Sequence, residues 1–181
     1  MKIVFLEGLP GVGKTTILQR LREKYPNINT VDELIFNKLF TNSVITQEDF
    51  MKNDDIKCIK AQSLNSVVDR GPISTLSYNQ VRHIVDENFK FDILLVKKWF
   101  NQWLNLINNS IIYYFTNDQN TFSITSQNKN DPYGSIINQK ILEYVSLYNC
   151  KKYCKNVIIK KYYKNNLEEI VDEIANQFVC T

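Results

Sequence analysis

One histidine, four arginines and five glycines are all that this chain of 181 residues contains of those types. No C-x-x-C pair occurs, and with His83 as the single imidazole a zinc site is not expected. Cys58, Cys150, Cys154 and Cys180 read as reduced thiols, with Cys150 and Cys154 spaced to share a helix face. No apolar run reaches membrane-spanning length, and the chain opens directly into its first strand. A soluble, cytoplasmic protein is therefore expected, with no signal peptide and no membrane partner. Internal repeats and linkers rich in Pro, Gly or Ser are also missing, which favours one domain over 1–181 with a small inserted lid. Neither charge dominates: 22 Lys and Arg face 19 Asp and Glu, for a net +3. At 44% hydrophobic residues, the chain can bury a substantial core.

The scarce glycines are not scattered. Gly8-Leu9-Pro10-Gly11-Val12-Gly13-Lys14-Thr15 fits G-x-x-x-x-G-K-[ST]. Lys2 to Leu6 before it reads as a short buried strand, and Thr15-Thr16-Ile17-Leu18 after it reads as a helix start. Strand, glycine loop and helix make a phosphate cradle, because the loop's N–H groups converge on one anion and the helix adds its positive end. Binding of a nucleoside triphosphate is expected along Gly8 to Thr16. Lys14 would reach the β- and γ-phosphates, and the Thr15 hydroxyl would hold Mg²⁺.

Downstream, strands and helices alternate. Strands are predicted at 2–6, 28–32, 64–69, 110–115 and 157–159. Helices are predicted at 14–25, 46–62, 74–85, about 91–108, 136–148 and 167–178. Residues 116–135 are polar and irregular, and form the expected lid. This alternation predicts an α/β fold with a parallel sheet and ligands at the C-terminal strand ends.

Leu64 to Asp69 is an apolar strand ending in a carboxylate, suited to Mg²⁺ at the strand tip. Arg70 beside it offers a planar fork for an acceptor, Pro72 breaks the strand, and Ser74 can cap the next helix. A salt-bridged Asp-Arg turn is the plainer reading. Asp69-Arg70-Gly71-Pro72-Ile73-Ser74-Thr75-Leu76-Ser77-Tyr78 resembles the D-R-x-x-x-S-x-x-x-Y segment of thymidylate kinases, and also the [DE]-R-S segment of deoxynucleoside kinases. The layout of nearly the whole chain is similar to that superfamily. The resemblance implies a P-loop NTPase kinase fold: a five-stranded parallel sheet of order 2-3-1-4-5 with helices on both faces. It implies ATP and Mg²⁺ as cofactors, and a small-molecule nucleotide or nucleoside as acceptor. It implies that Asp69 serves Mg²⁺ or the acceptor, that Arg70 holds the acceptor, and that Glu33 at the second strand's tip acts as base. Glu33 as a solvated loop carboxylate stays open, and Asp32 is an equally close rival.

The sequence also departs from those kinases. Leu9 stands where thymidylate kinases usually carry an acidic residue, and residues 116–135 hold no arginine, with Lys129 the single cation there. An arginine finger contributes ~10³–10⁵ in rate, so a weakened ATP-binding protein remains an alternative. Asn128-Lys129-Asn130-Asp131 matches the guanine-reading N-K-x-D but lacks a preceding buried strand and a D-x-x-G partner, so a solvated loop is preferred. Phe50, Asn53, Asp54 and Lys57 lie on the helix that closes over the acceptor in similar kinases, or form an ordinary helix surface. Tyr78 and Arg82 are candidate acceptor contacts, whereas Trp99 and Trp103 read as core. The lysines between 151 and 164, interleaved with tyrosines, suit a solvated face better than a nucleic-acid patch. A polynucleotide 5′-kinase or repair ATPase is thus the less favoured reading, and a homodimer is compatible with the sequence.

Overall fold

β1 (Ile3–Gly8) is buried along its whole length, as a strand must be when it runs through the middle of a parallel sheet covered on both faces. The computed structural model describes residues 1–33, 46–116 and 135–179. After β1 come α1 (Lys14–Lys24), β2 (Asn29–Val31), α2 (Gln47–Ala61), β3 (Ser66–Asp69), α3 (Pro72–Val85), α4 (Ile93–Asn101) and α5 (Leu104–Asn108). β4 (Ile111–Thr116), α6 (Ile136–Tyr153), β5 (Asn156–Lys161) and α7 (Leu167–Asn176) complete the order. The five strands lie in the order β2-β3-β1-β4-β5, and every neighbouring pair is parallel.

Alternation along the strands divides the core. Val4, Leu6, Tyr113 and Phe115 pack with Ile17 and Leu21 of α1 and Ile170 and Ile174 of α7. Ile3, Phe5, Ile112 and Tyr114 face Met51 of α2, Ile73 and Leu76 of α3, and Phe100 of α4. The crossover leaving β1 runs toward β2, whereas the one leaving β3 runs toward β4. The C-terminal ends of β1 and β3 therefore border a crevice, and the register sets Leu6 opposite Asp69 there.

Several boundaries differ from the sequence expectation. The helix predicted over 91–108 is two helices. Between them the bonds tighten to i→i−3, with Gln102 N–H on Trp99 O at 3.2 Å and Trp103 N–H on Phe100 O at 3.0 Å. α6 runs on to Tyr153, because Asn149 and Cys150 are buried against the fold and Lys151 and Lys152 suit the negative helix end. β3 starts at Ser66, since Leu64 is exposed. Ser74 does not cap α3. That helix begins at Pro72 with Gly71 as its N-cap, and the Ser74 hydroxyl donates to the Glu7 carboxylate. No helix among the described residues is long and apolar enough to cross a membrane.

Candidate active site

The turn after β1 is built by backbone that only glycine tolerates well. Gly8 has φ +127°, and a Cβ there would lie 2.3 Å from the Phe115 carbonyl oxygen. Gly13 has φ +87°, and its Cβ would lie 2.3 Å from the Tyr162 ring. Gly13 is also the N-cap of α1, and no side chain bonds to the first amides of that helix. Its first turn carries no acidic residue, so the amides and the dipole are left for an anion.

A cavity of about 320 Å³ opens over this turn, lined in part by Pro10, Gly11, Lys14, Thr15 and Thr16. Gly8 and Leu9 contribute backbone, their carbonyls accepting from Lys14 Nζ at 2.9 and 2.7 Å. The Leu9 and Val12 side chains are buried in the core. Burial, and secondarily the Arg70 charge, lowers the Lys14 pKa to about 7. The Thr15 hydroxyl donates to Asp69 Oδ2 at 3.0 Å. A hydroxyl and a carboxylate in contact beside the phosphate cradle are a donor set that fits Mg²⁺.

Arg70 follows Asp69 at φ +57°, an uncommon conformation for a residue other than glycine. Its amide donates to Leu6 O at 3.0 Å, and its guanidinium lies over the Tyr78 ring at 6.0 Å. On its other side Arg70 Nη1 is 3.8 Å from Glu33 Oε2. Asp32, the rival carboxylate, turns outward and takes both oxygens to Arg22 at 2.8 Å. Of the two acidic residues at the tip of β2, the one in the site is Glu33.

A second cavity, about 350 Å³, lies beside the first and is bordered by Phe50, Asp54, Tyr78, Asn79 and Arg82. Pro10, Glu33 and Arg70 line both cavities. The floor of the second comes from α2. Phe50, Asn53, Asp54 and Lys57 occupy i, i+3, i+4 and i+7, one inward stripe, with Asn53, Asp54 and Lys57 buried. Thr75 donates to Asp54 Oδ2 at 2.7 Å, and Lys57 Nζ is 3.1 Å from Asp54 Oδ1. Arg82 pairs with Asp86 at 3.4 Å and stacks on Phe89 at 4.5 Å, so its guanidinium is held at the rim.

Glu7 went unnoticed in the sequence. It is buried at the end of β1 and takes the Gly71 amide on one oxygen at 3.0 Å and the Ser74 hydroxyl on the other, which ties the start of α3 to the central strand. Burial pushes its pKa up to about 7. A carboxylate inside an otherwise apolar strand was the signal available. Trp99 and Trp103 line neither cavity; both indoles donate to Asp55 Oδ1 at 2.8 Å. Lys160 pairs with Glu173, and Lys152 stacks on Tyr148 and Tyr153. Of the expected lid over 116–135, Thr116 ends β4 and Ser135 caps α6, while residues 117–134, with Lys129 and the N-K-x-D stretch 128–131, lie outside the described residues, as does Cys180.

The sequence matches no protein-family model and no curated protein. The structure is similar to solved ones. Deoxyadenosine kinase from M. mycoides, solved with dATP, is 16% identical over 97% of this chain and 100% of that one, with a TM-score of 0.67. Thymidylate kinase from Candida albicans is 14% identical over 98% and 91%, with a TM-score of 0.60. The YorR protein of Bacillus subtilis, solved with phosphorylated GDP, is 12% identical over 97% and 95%, with a TM-score of 0.60. The chain has the P-loop kinase fold, similar to that of thymidylate kinase.

Proposed function

We propose that this chain is an ATP-dependent phosphotransferase that phosphorylates a nucleoside or nucleotide. The observation that carries this reading is the pair of cavities meeting at Glu33 and Arg70, one built over a phosphate cradle and one walled by Phe50 and Tyr78. Two substrates seated there would meet at the shared wall. Thr15 and Asp69 would hold Mg²⁺, which when bound neutralises charge on the phosphates. Lys14 leaves the Gly8 and Leu9 carbonyls for the transferred phosphoryl group. Arg70 orients the acceptor, Tyr78 and Phe50 pack on its base, and Arg82 closes the rim.

A carboxylate at the junction favours a hydroxyl acceptor, because a monophosphate needs no base at neutral pH and would be repelled there. In that reading the acceptor oxygen bonds to the γ-phosphorus as the bond to the β–γ bridging oxygen breaks. The hydroxyl proton passes to Glu33.

The test is transfer of labelled γ-phosphate from Mg-ATP to nucleosides, their monophosphates and a 5′-hydroxyl oligonucleotide. Labelled nucleotide is expected, and Lys14→Ala is expected to abolish it without loss of the fold. Label on the oligonucleotide alone would assign a polynucleotide kinase. Bound ATP with no product would make the chain a nucleotide-binding protein.

A further inference from the structure

Of the α2 stripe, Phe50 and Asp54 line the second cavity, whereas Asn53 and Lys57 line neither. The Lys57 side chain is completely buried, so it cannot serve a ligand by touching it. An ammonium taken out of water is costly unless paired. Its anions are Asp54, at 3.1 Å, and Glu33, whose Oε1 is 3.5 Å away. Asn53, one turn earlier on α2, points Nδ2 at that same Glu33 oxygen, also at 3.5 Å.

Glu33 is held by no short bond. Arg70 reaches its other oxygen at 3.8 Å. Glu33 Oε2, Asn53 Oδ1 and Arg70 Nε are enclosed, and none has a hydrogen-bond partner among the described residues. A donor, Arg70 Nε, and an acceptor, Glu33 Oε2, are thus left at the wall that both cavities share. Enclosed polar atoms of this kind call for a partner, and a hydroxyl, which both donates and accepts, suits such a set.

We propose that Lys57 is the positioning residue of the reaction. It turns Glu33 inward from the tip of β2 and holds it at the junction, where the acceptor hydroxyl completes the polar set. The inference rests on the kinase reading above and deepens it toward a hydroxyl acceptor. Lys57 does its work through Glu33, so the two losses must not multiply.

The test is a double-mutant cycle on phosphoryl transfer to the nucleoside that the wild type accepts. Glu33→Gln is expected to lower kcat roughly 100-fold, the ordinary reach of a general base. Lys57→Met is expected to lower it about 10-fold or more, with little change in KM for ATP, and to add almost nothing in the Glu33→Gln background. Because Lys57→Met strands the buried Asp54, Asp54→Asn/Lys57→Met is run in parallel, which removes both charges. Wild-type kcat in both lysine variants would overturn the proposal. So would full multiplication of the losses, the signature of a merely structural lysine. In either case Lys14-dependent transfer would leave the kinase reading standing. A wild type that phosphorylates no acceptor would overturn both.

Discussion

Lys14 carries its charge in a place that disfavours it. Burial lowers its pKa to about 7, and a phosphate drawn to its ammonium would raise it again. Below pH 7 the free protein already holds that proton. Above pH 7, binding must take one up, so affinity for Mg-ATP falls as pH rises, by at most about tenfold per unit. Calorimetry in two buffers of different ionisation enthalpy should show close to one proton taken up at pH 8 and almost none at pH 6. No uptake at pH 8 would remove Lys14 from the phosphates. At this scale the sequence was informative wherever a residue type had one plausible job, as in the glycine-lysine-threonine loop. It was silent where direction decides. Asp32 and Glu33 are neighbours of like chemistry, and only the turn of the chain sends one to Arg22 and the other to the cavities. Glu7 was hidden because a strand pattern does not say which donors a buried carboxylate will meet across the fold.

α2 shows how an element can be read correctly and still mislead. Its helical period is plain, and Thr46 and Asp49 form a capping box at its start. Its polar stripe faces inward, where Asp54 borders the second cavity and pairs with Lys57, and Asn53 and Lys57 approach Glu33. What fixes its height over that cavity is Asp55, whose single oxygen takes Trp99 and Trp103 at 2.8 Å and Gln102 at 3.1 Å. Removing a charged acceptor from such donors costs about 2 kcal/mol. Asp55→Ala should therefore lower the denaturant midpoint. It should also change tryptophan fluorescence strongly, since these are the 2 tryptophans of the chain. An unchanged spectrum would mean that the tie is not kept in solution. The same pair explains why the 91–108 helix was not legible as two. The apolar period continues through the break, and only the tertiary pull on both indoles tightens the backbone there.

The molecule as a whole was the most legible level. Alternation and right-handed crossovers pointed to a parallel α/β sheet, the strand order was implied by the resemblance to P-loop kinases, and the similar solved structures share that fold at 12–16% identity. Residues of the second cavity, among them Phe50, Asp54, Tyr78 and Arg82, were named one by one in the sequence, but their meeting in one cavity was not legible, because its walls come from segments remote in sequence. In the proposed reaction two substrates would sit one phosphoryl transfer apart, on either side of Glu33 and Arg70. The most direct measurement is the affinity of a set of bisubstrate compounds, adenosine joined through a phosphate chain to each of four nucleosides, against that of ATP. One member should bind on the order of 10² to 10⁴ times more tightly than ATP, as expected when two sites are engaged by one molecule. Arg70→Ala should cancel most of that gain. If every member binds no better than ATP, the two cavities do not serve one reaction.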